Sequence, residues 1–416
     1  MSFGYFNNNN KVAVSNGTTV DSSFNRNYPL STNTTGFKLN GVDICNYITE
    51  YALGFQTDNN YGFSVNGINI NRKFSFNKPV LSIAGGTAST DANYRYYKFT
   101  ESNSNLTITT PNFQAIKNAL NTDPIGIQML LVGGGGAGAV TSTDYQSQYP
   151  GAGGGGAGAF VTIEFDINGS RFNNNTIKIS PTIGAGGAGP FAIGYSGAIS
   201  SVLIEANTAH MVSAGGGEGG YRLAEYDYQV DRLYNFVLSG SSGGATATTL
   251  QANFSYQPGF PNTPVGYSIS PTSTFLTVNS YQNVGGSAKT TDSVGVSGSH
   301  FKSSGGGGGG GAGGPGAAIG AGFFDGGAGG ASKEWIDGKY YAGGGGGADN
   351  SAQGGLVGVG GKDSGGGTGG TSGGYGSGIP NTGGGGSGGW ASTRTTGGSG
   401  VCIIAIPIDA YNKYFV

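Results

Sequence analysis

The sequence predicts an all-β protein in two parts: a β-rich N-terminal module, then a sandwich of polyglycine-II helices clamped by short β-strands. Three observations carry this. Glycine makes up 87 of the 416 residues, against about 7% in ordinary proteins. It is unevenly spread, since residues 1–130 hold 10 glycines and 22 asparagines while residues 131–416 hold 77 and 13. The glycine tracts also start and stop against short apolar runs whose periodicity is that of strands. The composition shift divides the chain into an Asn-rich module at 1–95 and a glycine-rich domain at 96–416.

In the first part an internal repeat stands out. Gly36-Phe37-Lys38-Leu39-Asn40-Gly41-Val42-Asp43-Ile44 returns as Gly62-Phe63-Ser64-Val65-Asn66-Gly67-Ile68-Asn69-Ile70. Apolar residues alternate around a central Asn-Gly, the pair that two-residue type I′ turns prefer because both positions need φ > 0. Each copy therefore reads as a short hairpin. Residues 113–121 have the pattern of a short helix.

The second part opens on the continuous apolar strand 127–132, which ends abruptly in Gly133-Gly134-Gly135-Gly136. Residues 160–167 alternate strictly, with Glu164 and Asp166 on the outward face. Residues 176–180 are expected to pair with them across an Asn-rich turn. Further short strands are expected at 201–205 and 209–214. The run Val401-Cys402-Ile403-Ile404-Ala405-Ile406 is apolar at every position, as in a strand covered on both faces.

A flexible linker does not account for the glycine, because the tracts recur across most of the chain between strong strands. Collagen fails too, since there is no Gly-X-Y period and proline numbers only 14. Ordered polyglycine in the left-handed threefold conformation remains. Such a helix rises about 3.1 Å per residue without internal hydrogen bonds, so its N–H and C=O groups must find partners on neighbouring helices. Close approach of backbones then demands residues without a Cβ. Ordering a residue costs roughly 1–2 kcal/mol, and one net hydrogen bond returns about 0.5–1.5 kcal/mol. The lattice therefore needs apolar strands at its borders.

Charge narrows the function. Lys plus Arg is 20 and Asp plus Glu is 22, a net charge of −2, which argues against nucleic acid as a partner. No apolar run reaches the roughly 18 residues of a membrane-spanning helix, and the N-terminal residues lack the pattern of a secretory signal. Cys45 and Cys402 are the only thiols, either bonded to each other or free and buried. With His210 and His300 as the only imidazoles, no metal-ligand spacing exists, and no cofactor or metal is expected.

Catalytic motifs fail on context. Gly133-x-Gly135-x-x-Gly138 follows a strand, but no helix can start after it to receive a pyrophosphate. Residues 358–363 lack the first glycine of a phosphate loop, with Leu356 in its place. Residues 344–349 resemble one calcium-binding β-roll repeat, a site that needs tandem copies. Glu164 and Asp166 are spaced as a glycosidase pair could be, yet outward acids on a strand normally serve solvation, and Glu218 and Asp325, each beside glycine runs, are equally unassignable. The Asn-X-Ser/Thr triplets at Asn16, Asn33, Asn105, Asn168, Asn174 and Asn253 carry no weight without a secretory route. The chain is not expected to be an enzyme.

Aromatic residues say more. Tyr221, Tyr226, Tyr228, Tyr234 and Phe236 crowd the start of an insertion at about 221–304, and Trp335, Tyr340, Tyr341 and Trp390 interrupt the glycine tracts. Tyr and Trp offer large contact area with a polar tip, which suits sugars or protein surfaces. These nine residues are candidate receptor contacts, the alternative being small cores that cover the glycine lattice.

From about Tyr96 onward the chain resembles the glycine-rich domain of phage tail-fibre adhesins and of surface proteins of large DNA viruses. The similarity rests on Phe99-Thr100-Glu101-Ser102-Asn103 leading into Leu130-Leu131-Val132-Gly133, on the tract 153–158 before the Phe160 strand, on 183–189, and on the close Gly397-Gly398-Ser399-Gly400-Val401-Cys402-Ile403-Ile404. The doubled Asn-Gly hairpin is similar to segments preceding this domain in giant-virus proteins. The resemblance implies a polyglycine sandwich whose inserted loops carry recognition; the 221–304 insertion departs from the usual form. The function expected is that of a non-enzymatic virion surface or fibre-tip protein, extracellular once assembled, that recognises a host surface glycan or protein or decorates the capsid. Its partners would be copies of itself or other virion proteins. The alternative is a self-assembling filament or capsid-cement subunit without a receptor. An ice-binding bundle is a third reading, which would need a flat Thr/Ala face.

Overall fold

Twelve β-strands join two six-stranded antiparallel sheets packed face to face. The computed structural model of the protein describes residues 80–110, 114–141, 152–188, 194–217, 219–222, 241, 243, 245–246, 255–256, 267–270, 276–286, 288–294, 300–318, 326–348, 376–390 and 394–415, with short strands between 3 and 69. The sandwich strands are β1 (Ser82–Ala84), β2 (Thr87–Thr90), β3 (Tyr94–Phe99), β4 (Leu106–Thr109), β5 (Ile125–Val132), β6 (Phe160–Ile167), β7 (Thr176–Thr182), β8 (Ser200–Glu205), β9 (Ala209–Ala214), β10 (Tyr267–Ser270), β11 (Leu276–Tyr281) and β12 (Val401–Pro407). One sheet has the order β10-β9-β8-β7-β4-β1 and the other β11-β6-β5-β12-β3-β2. Two helices occur among the described residues: α1 (Gln114–Thr122), where the sequence indicates one, and α2 (Ile408–Tyr414), which no helical period announces. The chain is all-β in class.

Alternation builds the core. Met129 and Leu131 of β5, Val161 and Ile163 of β6, Cys402 and Ile404 of β12 meet Ile108, Ile177, Ile179, Val202, Ile204 and Val212 from the facing sheet. Glu164 and Asp166 point outward and are exposed, as their positions require. Strand β12 is buried along both faces: Leu130, Val132, Val401, Ile403 and Ala405 form a second core on the outer side of the same sheet. Cys402 lies within the sandwich as a free buried thiol, and burial pushes its pKa up. Ile116 and Leu120 of α1 and Tyr414 of α2 close one end of the sandwich. There Asp123 accepts from Lys413 Nζ at 2.6 Å and from the Tyr414 hydroxyl at 3.0 Å.

Three expectations need correction or refinement. Strand β7 does not pair with β6; it lies in the opposite sheet, between β4 and β8. The 3-10 turn Gly169–Arg171, started by Asn168 accepting from the Ser170 N–H, and buried Phe172 carry the chain across the sandwich. Both strands are half-apolar, and this crossing lets each present its apolar face to the same core. Secondly, β1 and β2 are sheet members, so the sandwich begins ahead of residue 96. The turn between them uses Gly85 and Gly86 at φ 116° and 64°, where a Cβ would strike the Asn105 carbonyl oxygen and the Phe99 ring. Thirdly, the insertion is not one separate unit. Strands β10 and β11 are edge strands of the two sheets, paired with β9 and β6. An edge strand needs only one apolar row, here Leu276 and Val278, so its signal is easily lost.

The repeated Asn-Gly segments do form hairpins, Lys38–Leu39 with Val42–Asp43 and Ser64–Val65 with Ile68–Asn69. Phe3–Phe6 pairs with Val12–Val14.

Candidate interaction surface

At the end of the sandwich opposite the helices, the strands run directly into glycine. Strand β5 continues as tract 133–139, and tract 152–159 leads back into β6. Their backbone hydrogen bonds follow a period of three. Gly133, Gly136 and Ala139 donate to Ala159, Gly156 and Gly153; Gly134 and Ala137 donate to Ala198 and Tyr195; Gly135 donates to Gly398. The carbonyl groups of the same tract accept from Gly217 and Gly220, from Gly187, and from Gly386 and Gly389. Each face of the tract thus has its own neighbour, drawn from distant parts of the sequence. Tract 342–348 behaves alike: Gly344 and Gly347 donate to Gly330 and Gly327, Gly345 and Ala348 to Gly155 and Ala152. The spacing leaves no room for side chains, since a Cβ on Gly134, Gly155 or Gly309 would overlap a neighbouring carbonyl oxygen. Alanine occurs where there is space, and Ala139, Ala152 and Ala348 pack together at the far end.

This arrangement gives the glycine layer a near end at the sheets and a far end. The turn at 312–314, the hairpin 333–341 and the turn at 380–383 lie at the near end. Tracts reach the far end at residues 141, 152, 194, 222, 348 and 390. Hydrogen bonds tie these ends together, for example Gly389 to Ala139, Ala348 to Ala152 and Gly194 to Gly220.

The five described aromatic candidates, of nine, divide between the two ends. Tyr221 stands in the short strand Tyr221–Arg222, parallel to Ala245–Thr246, and Trp390 in Gly389–Trp390, parallel to Val140–Thr141, both at the far end. Tyr226, Tyr228, Tyr234 and Phe236 lie outside the described residues. Trp335, Tyr340 and Tyr341 belong to the near end. The hairpin Lys333–Glu334 with Tyr340–Tyr341 folds over the outer face of the β5–β12 sheet. There Trp335, 7% exposed, meets the Tyr96 ring edge-on at 6.1 Å between centroids, and Tyr341 is 2% exposed. Those two rings are buried in packing. Tyr340 is half-buried beside them.

Polar groups brace this near-end cluster. The Tyr96 hydroxyl donates to Asp91 Oδ2 at 2.6 Å, and the Tyr341 hydroxyl donates to Asp337 Oδ2 at 2.8 Å. Burial first, then these carboxylates, raise both phenol pKa values, so each stays a donor. In return the Tyr96 hydroxyl, followed by the Asn93 and Tyr94 N–H groups, holds Asp91 below its ordinary 3.8. Lys98, on the neighbouring strand position, is pushed down by burial and by Lys339. Lys333 sits 4.0 Å above the Tyr281 ring. This is a structural cluster, and sequence alone did not single out Tyr96 or Asp91. The two-residue period of a strand over 94–99 places Tyr96 and Lys98 on one face and could have found them.

Fold and surface together define a β-sandwich that carries a hydrogen-bonded glycine layer with tract ends at both its near and its far end. The glycine-rich domain family matches residues 114–407, and the chain belongs to that family. No curated protein matches the chain.

Proposed function

We propose that the protein is a non-enzymatic surface or fibre-tip component of a virus particle, whose glycine layer is a rigid polyglycine-II bundle presenting recognition segments at its far end. The observation that carries this reading is the set of tract ends that lie there, with Gly389 bonded to Ala139, Ala348 to Ala152 and Gly194 to Gly220. The three-residue hydrogen-bond period supports the polyglycine-II reading, as does the absence of positive φ from the described glycines of the two central tracts. Packed glycine has almost no side chains with which to discriminate partners, so selectivity has to come from the connections. A rigid base lowers the ordering cost of binding. The partner is a host surface glycan or protein, and Tyr221 and Trp390 stand at the base of the recognising segments.

The test replaces residues 223–240 by a short Gly-Ser link and measures binding of the purified protein to a glycan array and to intact cells. Loss of binding with an unchanged melting temperature is expected. Binding that survives the replacement moves recognition elsewhere. Negative-stain images separate the competing reading: discrete knobs accompany a recognition protein, whereas continuous filaments with no binding would make it a self-assembling scaffold or cement subunit.

A further inference from the structure

Strand β2, Thr87-Ala88-Ser89-Thr90, is the edge of its sheet and is exposed at all four positions. Among the described residues it pairs on one side only, with β3, in the register Thr87 to Lys98, Ala88 to Tyr97, Ser89 to Tyr96 and Thr90 to Arg95. The phase of its hydrogen bonding follows from the next residue. The Asp91 N–H donates to the Tyr94 carbonyl at 3.0 Å, so Asp91 and Tyr94 are a bonded pair. Bonded and non-bonded pairs alternate along an antiparallel ladder. Ser89 and Thr87 therefore bond to β3, while the N–H and C=O of Ala88 and Thr90 point away from the sheet.

Such an edge is normally defended by proline, a bulge or a charged side chain. The opposite edge of this sheet has Lys333 over Tyr281; β2 itself carries no proline, bulge or charged residue, and the one cation among the described residues that reaches it is Arg95 of β3, whose guanidinium donates to Thr90 Oγ1. Its outward groups also have a self-complementary spacing. We propose that β2 is a dimerisation edge, which pairs antiparallel with β2 of a second copy about a twofold axis through Ser89. In that register Ala88 of one copy exchanges N–H···O=C bonds with Thr90 of the other, and the reverse exchange follows by symmetry. Ser89 faces Ser89 across the axis, and Asp91 faces Thr87, so no like charges meet. The side chains of β2 itself are small on both faces. The pairing joins two six-stranded sheets into one continuous sheet. This inference does not rest on the proposed recognition role.

The test uses the full chain. Light scattering during gel filtration should give a dimer. Ser89→Cys should form a disulfide-linked dimer under mild oxidation, because non-bonded antiparallel partners have Cα atoms about 4.5 Å apart, within disulfide range. Ser196→Cys, at an exposed position on another face, serves as the control and should cross-link far less. Ala88→Pro removes only an outward N–H, so it should yield a monomer with an unchanged melting temperature; Thr90→Pro is the second variant of the same kind. A full chain that is monomeric at about 100 µM, cross-linking of Ser89→Cys no greater than the control, or a dimer that survives both proline variants overturns the proposal.

Discussion

At the scale of single residues, the glycine layer makes a sharp distinction between positions that look identical in the sequence. Gly308 would place a Cβ against the Ala328 carbonyl oxygen, whereas a Cβ on Gly314 would meet nothing nearer than the Ala331 Cβ at 3.6 Å. Gly308→Val is expected to cost about 3 kcal/mol through overpacking and lost hydrogen bonds. Gly314→Ala should be neutral or slightly stabilising, because it reduces the freedom of the unfolded chain. Thermal melts of the two variants check this, and equal melting temperatures would remove the case for an ordered layer. Acid sensitivity is a second residue-scale property. Asp91 is lowered chiefly by Tyr96, and Asp123 chiefly by Lys413 and then Tyr414. A carboxyl whose folded pKa is depressed contributes stability above its unfolded value, near 3.8, and loses it as pH falls through the folded value. Stability should therefore decline below about pH 4, and Tyr96→Phe combined with Lys413→Ala should flatten that decline in melts taken from pH 7 to pH 2.5.

At the scale of elements, the legible features were those with a strong local signal. The strict alternation of 160–167, the all-apolar run at 401–406 and the Asn-Gly hairpins all appear where the residues place them. Pairing was less legible. Nothing local in 160–182 distinguishes a hairpin within one sheet from a crossing between two, because both bury the same alternate residues. The aromatic hairpin was legible as a cluster but not as a core, since Trp335 finds its partner Tyr96 far away in the sequence. Trp335→Ala is expected to cost about 3–5 kcal/mol and to leave far-end binding to a glycan or cell surface intact in the protein that stays folded. The sheet membership of β1 and β2 sets another expectation. A chain beginning at residue 80 should melt as the full chain does, whereas one beginning at residue 96 loses two strands and the Leu81 contact to Tyr414 and should melt well below it.

For the whole molecule, the sandwich and the glycine layer stabilise each other. The strands supply buried apolar area, and the tracts continue them without a break, so backbone order is passed on from a segment already fixed. This explains how a chain with 36% hydrophobic residues holds so much glycine in one arrangement. The period-three bonding was foreseeable from the tracts, but which tracts become neighbours was not. Glycine has no side chain to encode a partner, and only the lengths of the connecting segments and the positions of the strands select one.

The place of β12 has a consequence for how the chain is made. This strand, at Val401–Pro407, lies between β5 and β3 in the middle of its sheet, and tract 394–400 before it bonds to residues 184 and 187. Until the ribosome has released that strand, β3 and β5 have no common partner and the sheet is divided. Residues 401–407 must therefore emerge before the sheet can close, and a high contact order slows the closing step. Nascent chains stalled with residue 395 as their last should be degraded rapidly by an added protease. Chains stalled after residue 416 has cleared the exit tunnel should become resistant in a single late step.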